Sequence, residues 1–109
     1  MAKQLIPKKD VRRIERLLDE LQSKNCIKPE DREVMKLCIL LLTHGWKVRD
    51  EIRKHVNVDD KTFNEWWNNL KANGYFGRGG KIRIEELDND VPIYLMSLCA
   101  EGFIKRKLG

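Results

Sequence analysis

Between Val48 and Glu85 the chain places two short amphipathic segments on either side of a three-residue break and follows them with a glycine pair, an order that few folds accommodate. Val48, Ile52 and Val56 recur every four residues and so share one face of a helix read from Arg49 to Val56. Asn57 is expected to end it, because Asn tolerates the left-handed backbone that turns a chain sharply, and Val58 then tucks inward. Asp59 is the N-cap expected for a second helix: its carboxylate can accept from the free amides of the next turn, and Asp60 suits the positive first turn. In that second helix Phe63, Trp67 and Leu70 form a buried stripe, Gly74 closes the C-terminus, and Lys61, Asn64, Glu65 and Asn68 face outward. Tyr75 and Phe76 continue as a strand, Gly79-Gly80 supplies the positive φ of a hairpin turn, and Lys81 to Glu85 alternates charged and apolar as a half-buried strand does.

The segment from Ile52 to Phe76 resembles the helix-turn-helix of the winged-helix superfamily. The features that carry the likeness are the turn at Val56-Asn57-Val58, the cap at Asp59, Thr62-Phe63 opening the second helix, and Trp67, Leu70 and Asn73-Gly74-Tyr75-Phe76 leading into a wing. The resemblance implies an α+β fold, mostly α, with a winged-helix core over residues 29–86; to it the residues themselves add a helix within 1–28 and an apolar helix and basic tail within 87–109, all one domain. It also implies that the second helix enters the DNA major groove while the wing, basic at Arg78 and Lys81, lies along the backbone or minor groove. Trp46-Lys47 is then expected to add a strand residue pairing with the wing.

The flanks read as further helices. From Lys8 to Lys24, Val11, Ile14, Leu18 and Leu21 step by three and four, with Leu17 widening a seam too short to hold a coiled coil alone. Asn25 to Lys28 is a linker, and Pro29 with Glu30, Asp31 and Glu33 opens a helix to about Thr43 that Leu37 to Leu42 make apolar nearly all round, as a central core helix is. Gly45 ends it. Pro92 opens a last helix reaching about Glu101, whose near-complete lack of a polar face predicts that it fills the core and seals a homodimer through residues such as Leu95 and Met96.

Charge is unevenly placed. Lys and Arg outnumber Asp and Glu by 8 to 4 in residues 1–28, match them 8 to 8 in 29–76, and exceed them 6 to 5 in 77–109. Neutralising phosphates provides most of a nucleic-acid binder's affinity, so a neutral reading head must take that charge from the wing and from an N-terminal arm in which Lys8, Lys9, Arg12 and Arg13 are auxiliary phosphate contacts. A charge-rich helix face is more often simply solvated.

The expected function is therefore that of a small transcriptional regulator of double-stranded DNA. Asn64 and Asn68 would pair with adenine edges, Lys61 would reach guanine or phosphate, Thr62 phosphate, and Glu65 the amino group of cytosine. The alternative is a winged helix used as a protein-interaction module, an adaptor or a viral or plasmid accessory factor, with exposed Trp66 as its anchor. No enzyme is expected: the chain shows no nucleophile with a base, and Gly77-Arg78-Gly79-Gly80 lacks the ending of a phosphate loop. Cys26, Cys38 and Cys99, scattered in apolar surroundings, suggest buried free thiols and not a zinc site, even with His44 and His55 in view. No cofactor, metal, small-molecule ligand or membrane partner is expected. The first residues lack a signal peptide and no run reaches transmembrane length, which suggests a soluble protein of the cytoplasm or nucleoid.

Overall fold

The computed structural model describes residues 6–73. Four helices follow one another: α1 (Lys8–Ser23), α2 (Arg32–His44), α3 (Arg49–His55) and α4 (Asp60–Asn73), with single 3-10 turns at Pro29–Asp31 and Trp46–Val48. Every regular element among the described residues is helical and none is a strand, which overturns the α+β class expected from the resemblance. The strand residue expected at Trp46-Lys47 is instead part of a 3-10 turn. Gly45 there holds φ 84° and ψ −179°, a backbone that a Cβ disfavours, and Trp46 and Trp67 pack nearly perpendicular with ring centroids 4.8 Å apart. The expected wing, from Gly74 to Glu85, and the helix expected from Pro92 lie outside the described residues.

α2 is the axis. Every residue from Val34 to Leu42 is buried, so this helix has no solvent side over nine positions and its neighbours must surround it. α1 covers one flank with Ile14, Leu17, Leu18 and Leu21 and runs antiparallel to it: Asp10 meets His44 at 3.7 Å, Glu15 meets Lys36 at 2.7 Å, and Asp19 meets Arg32 at 2.8 Å, in opposite chain order. Ile52 of α3 and Phe63, Trp67 and Leu70 of α4 complete the same core. Fully burying a side chain of this kind contributes about 1.5–3 kcal/mol, whereas an exposed ion pair contributes at most about 1, so the apolar stripes hold the helices together and the charges orient them.

The helix ends are closed in two different ways. At the end of α1 the amide of Cys26 donates to the carbonyl of Leu21 at 2.8 Å and that of Asn25 to Gln22 at 3.1 Å, with Asn25 at φ 61°. This is a Schellman closure, and it opens the linker expected from Asn25 to Lys28, which joins α1 to the turn at Pro29. Asn57, expected to turn left-handed, does not: Asn25 alone among described non-glycine residues has positive φ. The Pro29 start is a 3-10 turn before α2 begins at Arg32. Cys38 is buried as expected, whereas Cys26 is exposed and Cys99 lies outside the described residues.

Candidate nucleic-acid interface

α3 has only seven residues, too few to persist as an isolated helix in water, so its geometry is set by what grips it. Buried Ile52 provides the apolar contact and three charged side chains provide the rest. Arg53 donates from Nη1 to the Val56 carbonyl at 3.0 Å and from Nη2 to the Val58 carbonyl at 2.7 Å, while its Nε reaches Asp60 Oδ1 at 2.9 Å. One guanidinium thus ties the end of α3, both turn carbonyls and the first residue of α4. Lys36, 8% exposed at its side chain, donates to the His55 carbonyl at 3.1 Å and pairs with Glu15 at 2.7 Å. Glu33 accepts the amide of Asn57 at 2.7 Å. Carbonyls left open at a helix C-terminus favour cations, and here two supply the hydrogen bonds, which is why Asn57 has no need of the left-handed form.

α4 begins as its sequence suggests. The amide of Phe63 donates to the carbonyl of Asp59 at 3.0 Å. The pKa of the Asp59 carboxyl lies below its ordinary value of 3.8, chiefly through the Thr62 hydroxyl; desolvation opposes the shift, and backbone amides and Lys61 add to it. Phe63 stacks on Trp67 with centroids 5.6 Å apart. Two guanidiniums from α3 lie against this pair: Arg49 is 5.1 Å from the Phe63 centroid and 5.5 Å from that of Trp67, and Arg53 is 5.4 Å from Phe63. The ring quadrupole attracts both cations, so the arginines of α3 help to hold α4 against it.

Of the residues expected to meet DNA, Lys61, Asn64, Glu65 and Asn68 are all exposed on α4, and Lys61, Glu65 and Asn68, spaced by four and three, share one face. Asn64 Oδ1 accepts from Arg49, so in the free protein only its NH2 group is open. Thr62 is half-buried and occupied with Asp59. Trp66, expected to be exposed, is partly buried against the core. On α1, Lys8, Lys9 and Arg12 are exposed and Arg13 is half-buried. Arg78, Lys81, Leu95 and Met96 lie outside the described residues.

The sequence reading passed over Lys36, Arg49, Arg53 and the exposed Asn69. A single Lys inside the apolar run from Val34 to Leu42, three residues after Glu33, was the available signal, because such a cation must find partners. Among the described residues no three His, Cys, Asp or Glu side chains are placed to hold a metal ion, and no helix is long and apolar enough to cross a membrane. Comparison with protein-family models, curated proteins and solved structures finds no match to this chain.

Proposed function

We propose that this protein is a small regulator that binds double-stranded DNA through the α3–turn–α4 unit, with the outward face of α4 laid in the major groove. The observation that carries the reading is the turn between the two helices, anchored at His55, Val56, Asn57 and Val58 by Lys36, Arg53 and Glu33. A reading helix has to be presented at a fixed angle, and a turn held at consecutive residues by side chains of α2 and of α3 itself does that. Asn68 is the principal base reader, because its carboxamide is exposed and can pair bidentately with adenine, whereas Asn64 must first release Arg49. Lys61 suits guanine or a phosphate, and Glu65 suits the amino group of cytosine.

One observation favours a protein-binding module instead: the exposed charges of α4, Asp60 and Glu65 against Lys61 and Lys71, cancel, so this face alone has little attraction for phosphate. Titrating the full chain with a random-sequence duplex at two salt concentrations separates the readings. DNA binding is expected to be retained at low salt and to weaken steeply with added salt. Once a preferred site is selected, Asn68→Ala should cost about 1–3 kcal/mol on that site and leave the salt slope unchanged. Wild-type protein that retains no duplex at low salt rejects the proposal in favour of a protein partner.

A further inference from the structure

The outward face of α1 divides sharply. Every acid on the helix is engaged: Asp10 lies 3.7 Å from His44, Glu15 2.7 Å from Lys36, Asp19 2.8 Å from Arg32 and Glu20 3.9 Å from Lys24. Lys8, Lys9, Arg12 and Arg16 are exposed in a row along the first half, and none is paired with a carboxylate among the described residues. Lys8, Arg12 and Arg16 are spaced by four, so like charges repel on successive turns. Lys8 and Lys9 also occupy the first turn, where the helix dipole favours anions. These charges are set against local helix energetics twice over, and a polyanion would relieve both.

We infer that this row is a phosphate-backbone docking surface: α1 provides the nonspecific attraction to duplex DNA that the neutral face of α4 lacks. The inference rests on the DNA reading above and deepens it by assigning the phosphate contacts. Two features select a nucleic acid over other polyanions. A helix lying on an anionic membrane needs an apolar side for the acyl boundary, and the apolar side of α1, with Ile14, Leu17, Leu18 and Leu21, is already buried in the core. The row also adjoins the helix-turn-helix, since Glu15, next to Arg16, holds Lys36, which bonds the last carbonyl of α3. Removing four phosphate contacts removes roughly 0.9 units of salt slope for each.

The test is fluorescence anisotropy of the full chain with a random-sequence duplex across a salt series. Replacing Lys8, Lys9, Arg12 and Arg16 together by Gln should flatten log affinity against log salt by about three to four units. The helix should survive, as judged by circular dichroism, because all four side chains are exposed. Lys24→Gln with Lys28→Gln, beyond the far end of the helix, should change the slope by less than one. The inference is overturned if the row variant keeps the wild-type slope, or if the control flattens it as much per charge removed. Row-dependent binding to phosphatidylserine vesicles or polyglutamate that exceeds binding to duplex at equal ionic strength overturns it too, in favour of a membrane or an acidic protein. A silent row with an Asn68→Ala effect on site preference sinks this inference alone. A row effect with no effect of any α4 substitution sinks the base-reading role alone, and no retention of duplex by wild type sinks both.

Discussion

α1 and α4 are built alike and differ on the outside. Each buries one stripe, Ile14, Leu17, Leu18 and Leu21 in the first and Phe63, Trp67 and Leu70 in the second. α1 leaves a row of uncompensated cations in water, whereas α4 leaves amides and cancelling charges. The inner stripes differ as well: that of α1 is aliphatic, and that of α4 is aromatic and carries the guanidiniums of Arg49 and Arg53. The contrast separates attraction from reading. Attraction needs charge and tolerates an imprecise mount, while reading needs hydrogen-bonding groups on a helix whose orientation is fixed.

The largest effect should come from the aromatic stripe. Phe63 is fully buried, so Phe63→Ala should destabilise the fold by about 3–5 kcal/mol, measured as a shift in the urea midpoint. The loss should exceed the cavity cost alone, because both guanidiniums lose a ring. Leu18→Ala, on the matching stripe of α1, removes only aliphatic volume and should cost about 2–5 kcal/mol with no change in the environment of the tryptophans. Equal near-ultraviolet circular dichroism spectra for the two variants would break the contrast between the stripes.

Lys36 joins the two regions and gives the next effect in size. Its ammonium stands between Glu15 of α1 and the last carbonyl of α3, so Lys36→Ala takes a partner from each. Removing one member of a fully buried pair costs about 3–5 kcal/mol, but Glu15 is 43% exposed at its side chain and keeps Arg32 at 3.8 Å, which reduces the expected loss to about 1–3 kcal/mol. Lys36→Met should recover most of it, since an apolar chain of similar length fills the space where a buried ion pair contributes little net stability. Thermal melts of both variants decide the point. If Met is as damaging as Ala, the ammonium itself holds the turn.

How much of this could be read from the sequence follows from the same distinction. The boundaries of α3 and α4 were legible to within a residue, because four-residue spacing and an Asp cap are local signals. The grip on the turn was not: Lys36 and His55 stand 19 residues apart and Glu33 and Asn57 stand 24 apart, and no periodicity links them. The two Asn residues show the consequence. α1 ends with no basic side chain in its last turn, so its carbonyls close on the backbone and Asn25 takes positive φ. α3 ends under Lys36 and Arg53, so its carbonyls are met by cations and Asn57 stays in the ordinary region. Either Asn could have taken the left-handed form, and a contact distant in sequence decided between them. The strand expected at Trp46 failed for a related reason: Trp46 packs on Trp67, 21 residues away, and the backbone of Gly45 turns the chain toward it.

The smallest effect lies at the cap of α4, and pH resolves it. Asp59 is exposed, and its carboxylate is favoured by the Thr62 hydroxyl first, then by backbone amides and Lys61, which lowers its pKa in the folded protein below 3.8. The unfolded chain therefore binds the proton more tightly than the folded one. Stability from the charged cap is present above about pH 4 and is lost as pH falls through the folded value, the direction required when folding depresses a carboxyl pKa. Asp59→Asn keeps a cap oxygen and removes the titration. Wild type should thus melt slightly higher than Asp59→Asn near neutrality, and the two should converge or cross in the acid range. Asp59→Ala, with no cap oxygen, should melt below both at neutral pH. A wild-type advantage over Asp59→Asn that stays constant from neutral pH into the acid range would show that the cap acts through its hydrogen bonds alone. The contrast between the two helices would then sharpen, because α4, unlike α1, would owe nothing to charge.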